Sequence, residues 1–181
     1  ALDLLDGIID EYQEQVGMVA ITGPGDPLAT PEITFDAIRT IRSRYPKLKI
    51  GLKTHGIGSD KLAGEMARAG ADYVEMVVNG VRPEILEKLY AWIRPGQKTL
   101  KISDAVKLLI KEQRNGVPAL KFHNFSVSIL PTLYPGYNLD HVSRIGADMM
   151  ELGADGIALV PYAPEPGAEV NLDSPDQAAI E

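Results

Sequence analysis

The sequence predicts an α/β fold in which short parallel strands alternate with helices. Five apolar runs rich in β-branched residues indicate buried strands, and segments of helical periodicity separate them. The runs lie at residues 18–21, 48–52, 73–78, 125–130 and 156–160. Parallel strands of this kind are expected to be buried on both faces. A complete eight-stranded barrel needs about 250 residues, so a chain of 181 residues indicates a partial barrel or an open doubly wound sheet.

The helices are predicted from apolar stripes and from the residues that cap them. Thr30 followed by Pro31 indicates the start of one helix, since proline suits the first helical position. Ser59 is expected to cap the next helix and Gly70 to end it. The stripes lie at residues 4–12, 33–41, 62–69, 85–93, 106–110 and 142–152. The loop at 94–99 interrupts two of these helices and is expected to be either functional or a simple insertion.

Composition excludes several classes of function. The net charge is −7 and the isoelectric point is near 5.0, with no basic cluster that would bind nucleic acid or an anionic membrane. No apolar run approaches the roughly 20 residues of a membrane span, and the first residues carry acid where a signal peptide carries lysine or arginine. We therefore expect a cytoplasmic protein. The chain contains no cysteine, which excludes disulfides and thiolate metal sites within these residues.

A loop of glycine and proline follows the first predicted strand. It reads Gly23-Pro24-Gly25-Asp26-Pro27, and the carboxyl ends of parallel strands are where such folds bind ligands. Proline has no backbone N–H, and the next helix begins too late to stand behind a phosphate. The loop instead offers carbonyl oxygens and the Asp26 carboxylate, which suit a cationic group such as an amine. The alternative is that Asp26 only closes an Asx turn.

Five segments resemble the NifB-like family of radical S-adenosylmethionine (SAM) enzymes, which take part in the biosynthesis of the nitrogenase cofactor. The Gly-Pro-Gly-Asp-Pro-Leu loop is similar to the one with which radical SAM enzymes hold the SAM amino group. The Leu-Lys-Thr-His-Gly segment that ends at Gly56 stands where the family has Ser-Thr-Asn-Gly, so His55 replaces asparagine. The other segments are RPEILEKLYAWIRPGQK at 82–98, LYPGYN at 133–138 and VPYAPEPGAEV at 160–170.

The resemblance implies a single radical SAM core domain over residues 1–181, built as a partial (β/α)6 TIM-like barrel that lacks its first strand and its cluster loop. It also implies a SAM-binding site. Its residues are Gly23, Pro24, Gly25, Asp26, Pro27, Thr54, His55, Gly56, Asn79, Ser128, Val160 and Pro161. A family member uses a [4Fe-4S] cluster to cleave SAM reductively and takes electrons from a donor such as ferredoxin or flavodoxin; the expected substrate is a small molecule or a metallocluster.

The missing cysteines set this chain apart from the family pattern. The cluster is normally held by a CxxxCxxC motif ahead of the glycine–proline loop, because thiolates are the soft ligands that an iron–sulfur cluster needs. We expect the chain to be a fragment that is inactive alone although the parent protein is an enzyme. The alternatives are a degenerate, non-catalytic SAM-binding or iron–sulfur scaffold, and an ordinary aldolase-like α/β barrel.

Two lysines are open to two interpretations each, and two aromatic residues to one. Lys53 and Lys121 flank strands and are either partners of the SAM carboxylate or surface lysines. Tyr90 and Trp92 adjoin an apolar stripe, and packing is the expected role of both.

Overall fold

The computed structural model describes residues 2–12, 15–23, 25–96, 99–164 and 172–176. Helices and strands alternate along the chain in the predicted order. The helices are α1 (Leu2–Tyr12), α2 (Pro31–Arg44), α3 (Ser59–Ala69), α4 (Pro83–Leu89), α5 (Ile102–Phe122) and α6 (Val142–Glu151). The strands are β1 (Met18–Ile21), β2 (Lys49–Thr54), β3 (Tyr73–Met76), β4 (Ser126–Ile129), β5 (Thr132–Leu133), β6 (Gly156–Ile157) and β7 (Val160–Pro161). Short 3₁₀ turns cover Pro27–Ala29 and Leu139–His141.

Five strands form one parallel sheet in the order β1-β2-β3-β4-β6, and β5 pairs with β7 in a separate parallel pair. The five strands lie in the sheet in their chain order, with a helix in each connection; the connection from β4 to β6 also contains β5. This is the architecture of a curved (β/α) sheet that proceeds in one direction. The prediction of an α/β fold with a partial barrel of parallel strands is confirmed.

The expectation that both faces of the sheet are buried is wrong. One face packs against the helices, and its side chains belong to the main hydrophobic core together with Phe35, Ile38 and Met66 from α2 and α3. On this face lie Ile50, Leu52, Val74, Met76, Val127 and Ile129. The alternate residues point the other way, and none of Lys53, Glu75 and Ser128 is buried. The second face is therefore the inner wall of a hollow, as in a barrel, which explains why it carries polar residues.

One of two predicted helix starts is confirmed, and the other is displaced by one residue. Pro31 opens α2 as expected, although the Thr30 side chain makes no capping hydrogen bond. Helix α3 begins at Ser59 itself, because Gly58 takes the capping position with a φ of 80° that suits glycine. The Ser59 hydroxyl donates instead to the Gly56 carbonyl oxygen at 2.7 Å. The predicted end of α3 at Gly70 is confirmed.

Two predicted elements are shorter than the apolar patterns suggested. Helix α4 ends at Leu89, so Ile93 lies beyond it. The run at 156–160 is divided between β6 and β7, because β6 pairs with β4 whereas β7 pairs with β5. No helix among the described residues is both long enough and apolar enough to cross a bilayer.

Asp72 joins α3 to β3 at the amino-terminal edge of the sheet. Its carboxylate accepts hydrogen bonds from the Ile50 N–H at 2.8 Å, from Lys49 Nζ at 3.2 Å and from the Arg42 guanidinium. Partial burial alone raises the pKa of a carboxyl. The three donors outweigh it, so the pKa of Asp72 lies below its ordinary value.

Asp155 repeats this arrangement between α6 and β6. Its carboxylate pairs with Lys121 Nζ at 2.6 Å, which is the main reason that its pKa is lowered, and accepts from the Val127 N–H at 2.7 Å. Each aspartate thus binds the neighbouring strand and a basic residue of the helix that precedes that strand. Lys121 is accordingly a structural residue, which neither of its two interpretations predicted.

We expect Asp72→Asn to lower the free energy of unfolding by about 2 kcal/mol at pH 7 and by little at pH 3. A carboxylate whose folded pKa is depressed stabilises the fold above its unfolded pKa of about 3.9. That contribution disappears as pH falls through the folded pKa. Urea unfolding at both pH values measures this, with Asp36→Asn on the exposed face of α2 as the control. An equal loss of unfolding free energy at pH 7 and pH 3 would contradict a lowered pKa of Asp72 in the folded protein.

Candidate functional site

A cavity of about 920 Å³ opens at the carboxyl ends of β1, β2 and β3. The glycine–proline loop, the end of β2 and the segment that follows α4 all contribute to its wall. The polar and charged lining residues are Thr22, Asp26, Lys53, Thr54, His55, Glu75, Tyr90 and Arg94, and the others include Gly25, Ile57, Val77, Trp92, Ile93 and Leu109. This is the edge at which α/β barrels bind their ligands.

The Asp26 carboxylate lies at the cavity wall and is held by donors of the protein. It accepts from the Leu28 N–H at 2.9 Å, from the Thr54 hydroxyl at 2.8 Å and from the His55 N–H at 2.7 Å. The hydrogen bond from the Leu28 N–H caps the 3₁₀ turn. The interpretation that Asp26 closes an Asx turn is therefore correct for this one bond. The bonds to Thr54 and His55 tie the loop after β1 to the end of β2.

Thr54 is nearly inaccessible and continues this network. Its hydroxyl donates to Asp26 and accepts from the Gly56 N–H at 3.0 Å. Gly56 is buried with a φ of 86°, and a Cβ there would come within 3.1 Å of Met76. A side chain at position 56 would therefore be strained, which explains the glycine that follows His55.

His55 stands at the mouth of the cavity, and its ring meets the edge of Tyr90 with centroids 6.4 Å apart. The side chain is exposed, yet the surrounding wall displaces water from part of the ring. This desolvation lowers the pKa of His55 below the ordinary 6.5, Asp26 opposes the shift, and the Lys53 cation reinforces it. The imidazole is therefore neutral at pH 7. Burial raises the pKa of Tyr90 to about 12, so the phenol is also neutral.

We expect an NMR titration of His55 to give a midpoint below 6.5, and Lys53→Met to raise that midpoint because a nearby cation is removed. Since the folded pKa lies below the unfolded value, the unfolded chain binds more protons in this range. The free energy of unfolding should therefore fall as pH drops through about 6.5. A midpoint at or above 6.5, or no response to Lys53→Met, would contradict this electrostatic environment. Lys49→Met, at the far end of β2, is the control.

The predicted site residues divide between the cavity and the structure around it. Gly25, Asp26, Thr54 and His55 line the cavity. Pro24 lies outside the described residues. The others, which do not line the cavity, are Gly23, Pro27, Gly56, Asn79, Ser128, Val160 and Pro161.

Asn79 is buried and joins three segments near the cavity. Its Oδ1 accepts from the Thr132 N–H at 2.8 Å, its Nδ2 donates to the Tyr90 hydroxyl at 2.9 Å, and its carbonyl oxygen accepts from Asn138. Val160 and Pro161 form β7, beside Thr132. These contacts fix the wall that carries Tyr90.

Sequence reasoning missed several lining residues. No motif of the sequence points to Glu75 or Arg94, and the apolar stripe beside Trp92 predicts that its side chain packs. The Trp92 side chain is instead 63% exposed, and the Arg94 guanidinium carbon lies 5.6 Å from its ring centroid. The segment after α4 thus contributes to the cavity wall, and a functional role of the loop at 94–99 stays a prediction. The alternation of Lys53 and Glu75 with buried neighbours in β2 and β3 is a signal that could have placed both side chains on the inner wall.

These residues do not supply an iron–sulfur site. The 181 residues include no cysteine, and within the described ranges no cluster of three histidine, aspartate or glutamate side chains has the geometry to hold a metal ion. The possible metal ligands that are present are oxygen atoms and one neutral imidazole, which do not match the thiolate ligands of a [4Fe-4S] cluster.

The chain is similar to several proteins named FeMo cofactor biosynthesis protein NifB, and no model of a protein family matches it. Its identity to the NifB of Chlorobaculum tepidum is 30% over 90% of this chain and 38% of the relative. Its identity to the NifB of Methanocaldococcus infernus is 32%, over 79% of this chain and 47% of the relative. Its identity to the NifB of Azotobacter vinelandii is 30%, over 84% of this chain and 30% of the relative. The chain therefore spans less than half the length of these relatives.

A solved structure of the radical SAM methyltransferase TsrM from Kitasatospora setae, bound to tryptophan and a SAM analogue, shares the fold. The TM-score is 0.58 with 14% identity, over 88% of this chain and 30% of TsrM. At 14% sequence identity, the similarity to TsrM supports a shared fold and nothing further. The sequence relatives carry more weight than the shared fold: over most of its own length, the chain is similar to NifB.

Proposed function

We propose that these residues form the SAM-binding core of a NifB-like radical SAM protein. One observation carries the proposal: the two segments that resemble the family's SAM-binding elements, 23–27 and 52–56, meet at one cavity through the bonds of Asp26 to Thr54 and His55. These contacts join residues 28 and 29 positions apart in the chain. A cavity of about 920 Å³ falls in the size range of small-molecule sites, about 300–1,000 Å³.

The wall offers the kinds of group that SAM needs. A carboxylate has about four acceptor positions. The donors of Leu28, Thr54 and His55 make four contacts with Asp26, because the Thr54 hydroxyl lies within hydrogen-bond distance of both carboxylate oxygens, at 2.8 and 2.9 Å. A SAM ammonium group would share one of these oxygens with the single Thr54 proton, beside the loop carbonyl oxygens. The exposed Trp92 ring and the neutral Tyr90 provide flat surfaces of the kind on which a purine stacks.

In the parent protein, the radical SAM reaction would take place with a [4Fe-4S] cluster and an electron donor such as ferredoxin or flavodoxin. The relatives are named for FeMo cofactor biosynthesis, and we extend that role to the parent of this chain as a proposal. The residues described here bind and orient SAM, and they take no part in electron transfer.

Calorimetric titration with SAM tests the proposal. We expect weak binding, with a dissociation constant of about 0.1–1 mM, because SAM in the family also coordinates a cluster whose thiolate ligands this chain lacks. Asp26→Ala should weaken binding further, and Asp36→Ala on the surface of α2 should not. Absence of SAM binding in the wild type would refute the function, and equal affinity in the wild type and Asp26→Ala would remove the role of Asp26.

The Asp26 variant needs a stability measurement beside the titration. Removing the carboxylate leaves the donors of Leu28, Thr54 and His55 without an acceptor, which costs about 2–3 kcal/mol of folding free energy. Binding is therefore compared at a temperature at which thermal unfolding shows both proteins to be folded. A titration with inorganic phosphate in the same cell addresses the aldolase-like alternative, which predicts phosphate binding and no SAM binding.

The second candidate function is a non-catalytic SAM-binding scaffold, which a lack of cysteine in the full-length parent protein would favour. Anaerobic reconstitution with iron and sulfide, followed by dithionite and SAM, distinguishes it from an enzyme core. We expect no 5′-deoxyadenosine from the 181-residue chain. The same assay on a full-length parent protein should release 5′-deoxyadenosine if the parent is an enzyme, and none if it is a scaffold.

A further inference from the structure

Helix α5 holds the segment that follows β2 from outside the cavity. Two adjacent residues of this helix, Glu112 and Gln113, are polar and yet nearly inaccessible, with 7% and 1% of their surfaces exposed. Buried polar side chains are almost always hydrogen-bonded, and both of these bond to the segment at 55–58. Neither side chain lines the cavity, so contact with a ligand there does not explain them.

Gln113 donates two hydrogen bonds through one nitrogen atom. Its Nε2 lies 3.0 Å from the His55 carbonyl oxygen and 3.0 Å from the Val77 carbonyl oxygen. The first acceptor follows β2 and the second follows β3, so this side chain ties the carboxyl ends of two neighbouring strands together. Its Cγ lies 3.4 Å from the position that a Cβ would take on Gly56, so the segment is also packed against α5.

Glu112 holds the same segment by the opposite kind of hydrogen bond. Its Oε2 accepts from the Gly58 N–H at 2.9 Å, and Gly58 is the residue that caps the start of α3. The helix dipole favours a carboxylate at the amino end of a helix. Helix α5 thus supplies a donor and an acceptor to one short stretch of backbone, which is fixed at both ends.

His55 has both of its backbone polar groups held by side chains. Its N–H donates to the Asp26 carboxylate at 2.7 Å, and its carbonyl oxygen accepts from Gln113. The two side chains come from different elements, since Asp26 belongs to the loop after β1 and Gln113 to α5. The place of the imidazole at the cavity mouth therefore depends on Gln113 as well as on Asp26.

We propose that Gln113 is a positioning residue, which sets the place of His55 at the cavity mouth and, through His55, the geometry of the Asp26 network. Binding groups keep their place when residues behind them supply hydrogen bonds and packing. Without the Gln113 amide, the His55 peptide is held on one side only, and its ring moves away from the wall that displaces water from it. This effect on His55 is independent of the ligand, whereas the effect on SAM affinity rests on the proposed function.

An NMR titration of His55 tests the proposal in Gln113→Met, which has a similar length and offers no donor. Both residues are uncharged, so a change in the His55 midpoint reports a change of position and not of charge. Desolvation is the main reason that the pKa of His55 lies below 6.5; Asp26 opposes the shift and Lys53 reinforces it. We therefore expect the midpoint to rise toward 6.5 in Gln113→Met.

A second variant and a matched control complete the titration. Gln113→Asn keeps the amide but is one methylene shorter, so it does not reach both carbonyl oxygens, and the His55 midpoint should rise there as well. Gln15→Met makes the first substitution at an exposed glutamine and should leave the midpoint unchanged. Thermal unfolding establishes that each variant is folded at the temperature of the titration. A midpoint that stays at the wild-type value or falls in either folded Gln113 variant overturns the proposal.

Calorimetry with SAM gives a second readout. We expect the SAM affinity of Gln113→Met to fall about two- to thirtyfold, although Gln113 does not line the cavity, and that of Gln15→Met to stay at the wild-type value. If the wild type binds no SAM, the proposed function fails, and the His55 titration still decides the role of Gln113. If the His55 midpoint rises while SAM affinity is unchanged, Gln113 positions His55, and the part of the proposal that concerns the Asp26 network is overturned.

Discussion

Asn138→Asp is expected to lower the free energy of unfolding by about 4 kcal/mol at neutral pH. Asn138 is completely buried. Its Nδ2 donates to the Asn79 carbonyl oxygen at 3.0 Å and to the Thr132 carbonyl oxygen at 2.8 Å, while its Oδ1 accepts from the Tyr134 N–H at 2.7 Å. The side chain therefore joins the end of β3, strand β5 and the loop that follows β5.

Aspartate has nearly the same shape as asparagine, but the atom at the Nδ2 position becomes a hydrogen-bond acceptor instead of a donor. Aspartate still accepts from Tyr134, but an oxygen replaces Nδ2 and faces two carbonyl oxygens with no proton between them. A carboxylate in this position is both desolvated and repelled, so its pKa rises. Protonation at pH 5 then restores one donor, and we expect part of the lost stability to return there.

Chemical denaturation at pH 7 and pH 5 measures both effects. Asn124→Asp is the matched control, because Asn124 is exposed with a φ of 64° and aspartate tolerates that conformation about as well as asparagine. We expect the control to change stability by less than about 0.5 kcal/mol. A loss of less than about 1 kcal/mol in Asn138→Asp would mean that the network through Asn138 does not hold this wall.

The sequence was sufficient to predict the elements of the fold and the edge where the cavity lies. Apolar runs and capping residues depend on neighbours a few positions away, and such local signals located β1 to β4 and most helix ends. The division of the last run into β6 and β7 could not be predicted in this way. It depends on which distant strand each half pairs with, β4 for Gly156–Ile157 and β5 for Val160–Pro161.

The candidate site was predicted in part for the same physical reason. The pattern around Asp26 identified a loop rich in acceptors, but it could not show that Thr54 and His55, in another segment, already use most of the carboxylate. Local pattern marks Lys53 only as one of two strand-flanking lysines, and it does not mark Glu75. Their common direction follows from the alternation of side chains along β2 and β3, and their proximity follows from the register of the two strands.

Gly116→Val is expected to destabilise the fold by about 3–4 kcal/mol. Gly116 lies in the interior of α5, where that helix crosses the start of α3. A Cβ built on its backbone would overlap Ser59 Oγ and come within 3.4 Å of Met76 Cε. Ser59 is fully buried and donates to the Gly56 carbonyl oxygen, so it cannot turn away without losing that bond. Valine thus forces the helices apart and disturbs the segment that follows His55.

The glycine is required by this close approach and not by its backbone conformation, which is helical. Elsewhere in a helix, glycine to alanine stabilises by about 0.5–1 kcal/mol, and Gly7 in α1 provides that comparison because nothing lies within 4 Å of its Cβ position. We expect Gly7→Ala to raise the unfolding midpoint and Gly116→Ala to lower it. Pairing Gly116→Ala with Ser59→Ala should recover part of the loss, since the overlapping oxygen is gone. Additive effects in that double-mutant cycle would show that the contact between α3 and α5 does not impose glycine at position 116.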